Sequence, residues 1–72
     1  MPNTLLASRM LIAVNNVKNL VEEINKIEAN TQIPIMERLS IIKKIREEMT
    51  KVSGEIDNIK REFTLLTAHN IN

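Results

Sequence analysis

Two pairs of adjacent carboxylates, Glu22–Glu23 and Glu47–Glu48, a single histidine, His69, and a basic run, Lys43, Lys44, Arg46 and Lys51, are the side chains with chemistry to offer. A carboxylate pair does acid–base work when both groups converge on one substrate. On a helix, sequence neighbours point about 100° apart, so neither pair converges and both read as solvated charges. His69 stands near the end of the chain with no carboxylate or nucleophile placed beside it, and one imidazole is neither a relay nor a metal site. There is no cysteine, which removes disulfides and thiolate ligands, and a single glycine, Gly54, cannot form a phosphate-cradling loop. Met10, Met36 and Met49 fall on or beside an apolar stripe and read as core fillers. Glu47 and Glu48 interrupt the basic run, so as an RNA-binding stripe it is weak. The sequence therefore predicts no enzyme, no cofactor, no metal and no small-molecule substrate. Function is left to surfaces.

Those surfaces must be held by helices. Leu6, Met10, Ala13, Val17, Leu20, Ile24 and Ile27 alternate at spacings of four and three, the seam of a helix packed lengthwise on another. The spacing predicts a first helix over about 4–29, with Asn3 or Thr4 as N-cap. Pro34 lacks an N–H and disfavours helical geometry at Ile33, so a link is predicted at about 30–33. Pro34 then suits the first turn of a second helix, with Glu37 near its positive end. A link this short makes the two helices antiparallel neighbours. The second helix is predicted over about 34–67, with a frayed tail over about 68–72. Its seam reads Ile35, Leu39, Ile42, Ile45, Met49, Val52, Ile56, Ile59, Phe63 and Leu66. Two successive spacings of three around Ile42 form a stammer, which overwinds a coiled coil. Glu22–Lys26, Lys43–Glu47, Lys44–Glu48, Glu47–Lys51 and Asp57–Arg61 are expected as i,i+4 pairs. Gly54, off the seam, is either a tolerated surface glycine or a bend. The fold class is thus all-α: one domain, a two-helix antiparallel hairpin of coiled-coil type, completed by a partner or by homodimerisation.

The totals agree. Seventy-two residues make one small domain, and a core of that size supplies only about 3–5 kcal/mol without a staple. With disulfides excluded, the expected support is another protein chain or a second copy of itself. Ten basic against nine acidic side chains give a net charge of +1, which argues against a strong footprint for nucleic acid or an anionic membrane. Met10–Val14 is the longest apolar run, far short of the ~20 residues that span a bilayer, so no membrane insertion is expected. No export signal is visible and cysteine is absent, so a cytoplasmic location is expected. Abundant Ile, Asn and Lys point to an A/T-rich gene, such as that of a phage or an acquired bacterial island.

The first helix carries more apolar surface than one seam needs. Leu5, Ala7, Leu11, Ile12 and Val14 are left over, and no third helix exists to cover them. With Ile27 set beside Ile35, the first helix runs out near Ile56 or Ile59, and Phe63, Leu65 and Leu66 overhang. The apolar excess is therefore expected at the end distal to the link. Leu5, Leu11, Ile12, Val14, Phe63, Leu65 and Leu66 are the predicted partner-binding residues.

A short two-helix hairpin with an apolar end resembles the small co-chaperones of type III secretion needle subunits. The likeness covers residues 4–67 as a layout and carries over no residue string. It implies a hairpin that pairs with a larger helical-repeat chaperone, the two together holding a needle protein that would otherwise polymerise in the cytoplasm. "LVEEINKIEANTQIP", with Leu20, Val21, Ile24, Ile27 and Glu28, is similar to the end of the first helix in the small subunit of exonuclease VII. That family's glycine soon after Glu28 and its tyrosine–glycine pair on the second helix are absent. Antiparallel hairpin dimers among phage or plasmid regulators, which bind RNA or a host protein, share the layout as well.

Overall fold

The computed structural model describes residues 2–71, with side-chain environments for 4–68. Two helices, α1 (Pro2–Ala29) and α2 (Ile35–Ile71), pack along one another as an antiparallel hairpin measuring 58 × 16 × 12 Å. α1 opens at Pro2 and not behind an Asn3 or Thr4 cap. Proline at the first helical position has its φ already set and loses no needed hydrogen bond there. α2 starts one residue later than predicted, with the Pro34 carbonyl accepting from the Arg38 N–H at 2.9 Å. It also runs past residue 67, so the predicted tail is helical as far as Ile71; Asn72 lies outside the described residues.

The link works by local hydrogen bonding. The Asn30 N–H donates to the Ile27 carbonyl at 3.1 Å, closing the last turn of α1. The Asn30 Oδ1 accepts from the Gln32 N–H at 3.1 Å, and the Ile33 N–H donates to the Asn30 carbonyl at 3.3 Å. An asparagine bonding its own backbone two residues on sets a tight turn, and Pro34 then fixes the entry to α2.

The α1 seam stands as the sequence predicts. Leu6 and Ala13 are buried, and Met10, Val17, Leu20, Ile24 and Ile27 are half-buried. On α2 the seam differs at its start. Ile35 and Leu39 are exposed, and Arg38 takes the inward position, with Ile41 and Ile42 beside it. With Arg38 in place of Leu39 the row Arg38, Ile42, Ile45, Met49, Val52, Ile56, Ile59, Phe63, Leu66 alternates four and three without interruption, so there is no stammer. Arginine serves here because its aliphatic stem lies along the seam while its head meets a helix end. Its Nη1 donates to the Glu28 carbonyl at 3.1 Å, satisfying one of the orphan acceptors of α1.

The register shifts accordingly. Arg9 Nη1 donates to Glu62 Oε2 at 2.6 Å across the hairpin, and Leu66 packs on the Leu6–Ala13–Ile59 cluster. α1 therefore reaches as far as Leu66, and Leu66 does not overhang. Of the ion pairs among the described residues, one is this cross-helix contact and one is Lys51–Glu48 at 3.9 Å, an i,i+3 pair. The five predicted i,i+4 pairs are not closed; exposed pairs of that kind hold their long side chains weakly.

α2 runs unbroken through Gly54, whose φ is not positive. A Cβ added there would meet nothing within 4 Å. Gly54→Ala is accordingly expected to stabilise the fold by about 1 kcal/mol, through helix propensity alone. A raised Tm with unchanged far-UV circular dichroism checks this; a fall in Tm would show that the glycine is needed.

Candidate interaction surface

Among the described residues four side chains are buried, Leu6, Ala13, Ile42 and Ile59, all on the seam. A two-helix layer has two further sides, and seven-residue rows beside the seam stay on one side of a supercoiled pair. The rows differ sharply between the two sides.

On one side, the Val14 flank, α1 presents Ala7, Val14, Val21 and Glu28. α2 presents Leu39, Arg46, Ser53 and Lys60. Near the distal end, Leu6, Ala7, Met10, Leu11 and Val14 wall a cleft of about 680 Å³ whose far side is Ile59, Lys60, Phe63 and Thr64. Phe63 occupies a seam position yet is 48 % exposed. Ala7, whose methyl gives a phenyl ring little cover, lines the same cleft. Near the link, Glu28, Ile35, Leu39, Lys43 and Arg46 line a second hollow. The row from Glu28 to Ala7 and the row from Leu39 to Lys60 both join the two hollows, so they belong to one continuous face.

On the opposite side, the Glu55 flank, the inner rows are Arg9, Asn16 and Glu23 on α1, and Ile41, Glu48, Glu55 and Glu62 on α2, polar from Glu48 onward. Ile12 lies here, in a narrow hollow with Arg9, Asn16, Val52 and Glu55. Helical periodicity puts Leu5 in the outer row with Ile12, seven residues away, and Leu65 in the outer row with Lys51 and Asn58.

The seven predicted partner-binding residues are thus divided. Leu11, Val14 and Phe63 come together in the distal cleft of the Val14 flank. Leu5, Ile12 and Leu65 are exposed but lie around the other side. Leu66 is half-buried in the seam and is not part of an open surface. The apolar surplus is divided between the two sides and is not gathered on one face at the distal end. Exposed apolar residues that the sequence reading leaves out are Val21 on α1, and Ile35, Met36 and Leu39 at the start of α2, with Leu39 55 % exposed; Ala7, counted there in the surplus, is not among its partner-binding residues. The stammer was the available signal for Leu39, which falls one position outside the row that Ile35, Arg38 and Ile42 keep.

The basic run does not converge either. Lys43 and Arg46 border the hollow near the link, whereas Lys51 lies by Arg9 and Glu55 on the other side, with Lys44 seven residues away in the same row. Among the described residues no three His, Asp or Glu side chains group as a metal site, and no helix is long and apolar enough to cross a membrane. Comparison with protein-family models, curated proteins and solved structures finds no match.

Proposed function

We propose that this chain is a protein–protein interaction module whose Val14 flank packs on the helices of another polypeptide. Its mechanism is passive. Ala7, Leu11, Val14, Val21, Leu39 and Phe63 lose water against the partner, and the bundle so completed stabilises the partner or keeps it from assembling. The observation that carries this is the asymmetry of α1. Both flanks border the same seam, but one row of α1 is apolar from Ala7 through Val14 to Val21 and ends in Glu28, and the other is Arg9, Asn16 and Glu23. A lone hairpin in water gains nothing from that difference; a hairpin with one covered side does.

The concrete form proposed is a small cytoplasmic adaptor or co-chaperone, of the kind that serves type III secretion needle subunits. Size, hairpin layout and an uncovered apolar side support that reading. The test compares two neighbours that are equally open in the hairpin, Leu11 at 62 % and Ile12 at 61 % exposure. Leu11→Asp is expected to remove association, read as the intact mass of the native complex, and Ile12→Asp to leave it in place. Loss of association in both variants, or in neither, contradicts the assignment of the flank.

A further inference from the structure

We propose that the polypeptide covering the Val14 flank is an acidic amphipathic helix, laid in the groove between α1 and α2 with carboxylates along the edge that meets α2. The inference rests on reading that flank as an association surface, and it names the chemistry of the occupant.

The flank has an apolar half and a basic half. On α1 the inner row is apolar from Ala7 to Val21, with Leu11 exposed beside it. On α2 the inner row carries Arg46 and Lys60, and the outer row Lys43. Across the seam, the α2 inner row of the other side is Glu48, Glu55 and Glu62 beyond Ile41. One edge of α2 is thus cationic and the other anionic, in a chain whose net charge is only +1. Counted over both helices, the Val14 flank bears Lys18, Lys43, Arg46 and Lys60 against Glu28 and Asp57. Asp57 also borders the hollow of Arg9, Lys51 and Glu55, so its charge is shared with the other side.

The two sides also differ in how their charges are met. The ion pairs among the described residues, Arg9–Glu62 and Lys51–Glu48, lie on the Glu55 flank. Lys18, Lys43, Arg46 and Lys60 enter no ion pair among the described residues. The threonines of the outer row have spent their hydrogens: Thr50 and Thr64 donate to the Arg46 and Lys60 carbonyls of their own helix, at 3.1 and 2.9 Å. Beside Ser53, the cationic heads are then the side-chain donors that the α2 edge offers from Lys43 to Thr64. Aspartate and glutamate are the side chains that accept without donating and carry the opposite charge.

Shape selects a rod. At the distal end the flank is a cleft of about 680 Å³ with α1 on one side and α2 on the other, a trough that the ridge of a third helix can enter. A nucleic-acid groove would need cations on both walls, and the α1 wall here is Leu6, Ala7, Met10, Leu11 and Val14. Arg46 and Lys60 stand 14 residues apart, about 21 Å along α2. The helix that fits therefore carries acids two heptads apart on one edge, beside an apolar stripe that meets Leu11, Val14 and Phe63.

Three designed helical peptides of about 21 residues test this. Each has one leucine stripe; the edge beside it is glutamate in the first, glutamine in the second and lysine in the third. Fluorescence anisotropy of each labelled peptide, titrated with the full chain, reads the affinity. The glutamate peptide is expected to bind about tenfold more tightly than the glutamine peptide, and the lysine peptide most weakly. In the double variant Arg46→Glu, Lys60→Glu the order is expected to invert. Both residues are exposed, and unchanged far-UV circular dichroism shows that the variant folds. An order that the reversal leaves unchanged overturns the proposal, as does binding of none of the peptides, or binding to phosphatidylserine vesicles in preference to the glutamate peptide. Equal affinity for all three that is lost in Leu11→Asp overturns the acidic partner and leaves the interaction module standing. Equal affinity that survives Leu11→Asp removes both.

Discussion

Leu11→Asp and Phe63→Asp, made singly, are expected to abolish association while the hairpin keeps most of its far-UV helicity. Fully burying a leucine or phenylalanine side chain contributes about 1.5–3 kcal/mol. A carboxylate in the same place loses that and adds the cost of an unpaired charge in an apolar contact. Together these exceed about 4 kcal/mol, roughly a thousandfold in Kd. The fold is spared because Leu11 touches little within its own chain, being 62 % exposed. Its replacement costs only the helix propensity of aspartate, about 0.5 kcal/mol. Phe63 shares the cleft with Leu6 and Met10, so Phe63→Asp lowers Tm more than Leu11→Asp does. Two variants with different effects on Tm and the same effect on association separate docking from folding. Titration of each variant against the wild-type partner, beside its circular dichroism spectrum, reads both quantities.

Ile59→Ala is the variant expected to unfold the protein. Ile59 is 1 % exposed, the most deeply buried large side chain among the described residues, and it packs with Leu6 and Ala13. Removing such a side chain down to the β-carbon costs about 2–5 kcal/mol, the transfer term plus the cavity left behind. A core of this size holds only about 3–5 kcal/mol in total. Ala13, already the smallest inward side chain of α1, cannot close the void. The expected result is loss of the cooperative thermal transition for the dilute chain, with Ile59→Val losing about 1 kcal/mol and keeping it. A partner on the Val14 flank raises the apparent stability of all three proteins by mass action, so the comparison is made at one protein concentration. A cooperative transition in Ile59→Ala at wild-type temperature would show that the seam is not where the stability lies.

The α1 seam could be read from the sequence because its seven apolar residues obey one period and because helix packing rewards that period directly. The start of α2 could not. Ile35 and Leu39 look like seam residues by type, and Arg38 does not. What decides is the orphan carbonyl of Glu28 at the end of α1, which the Arg38 guanidinium reaches only if Arg38 faces inward. That requirement comes from the three-dimensional corner and has no counterpart in a hydrophobic period. The same displacement moved the register, brought Leu66 under cover and pushed Leu39 onto the surface.

The candidate surface was legible in kind and not in place. An excess of apolar residues on the first helix is visible in Leu5, Leu11, Ile12 and Val14, but residues three to seven apart fall on opposite sides of a seam as easily as on one. Leu11 and Ile12 are neighbours in sequence and lie on different flanks. Sorting them needs the direction of the seam at that level of the hairpin, which rests on the same register. Arg9–Glu62 and the acidic row Glu48, Glu55, Glu62 mark the flank on which Ile12 lies as the more polar one.

The account stands on one physical claim, that the side of the hairpin bearing Leu11 is covered in the working protein and the side bearing Ile12 is not. Side-chain footprinting of the native assembly, with a small diffusing radical or carbene and residue-level mass spectrometry, measures this directly. In the isolated hairpin the two side chains are open to nearly the same extent, 62 % and 61 %. Strong protection of Leu11, Val14 and Phe63 beside full labelling of Ile12 is the expected result. Equal labelling of Leu11 and Ile12 in a well-folded native sample would contradict the claim.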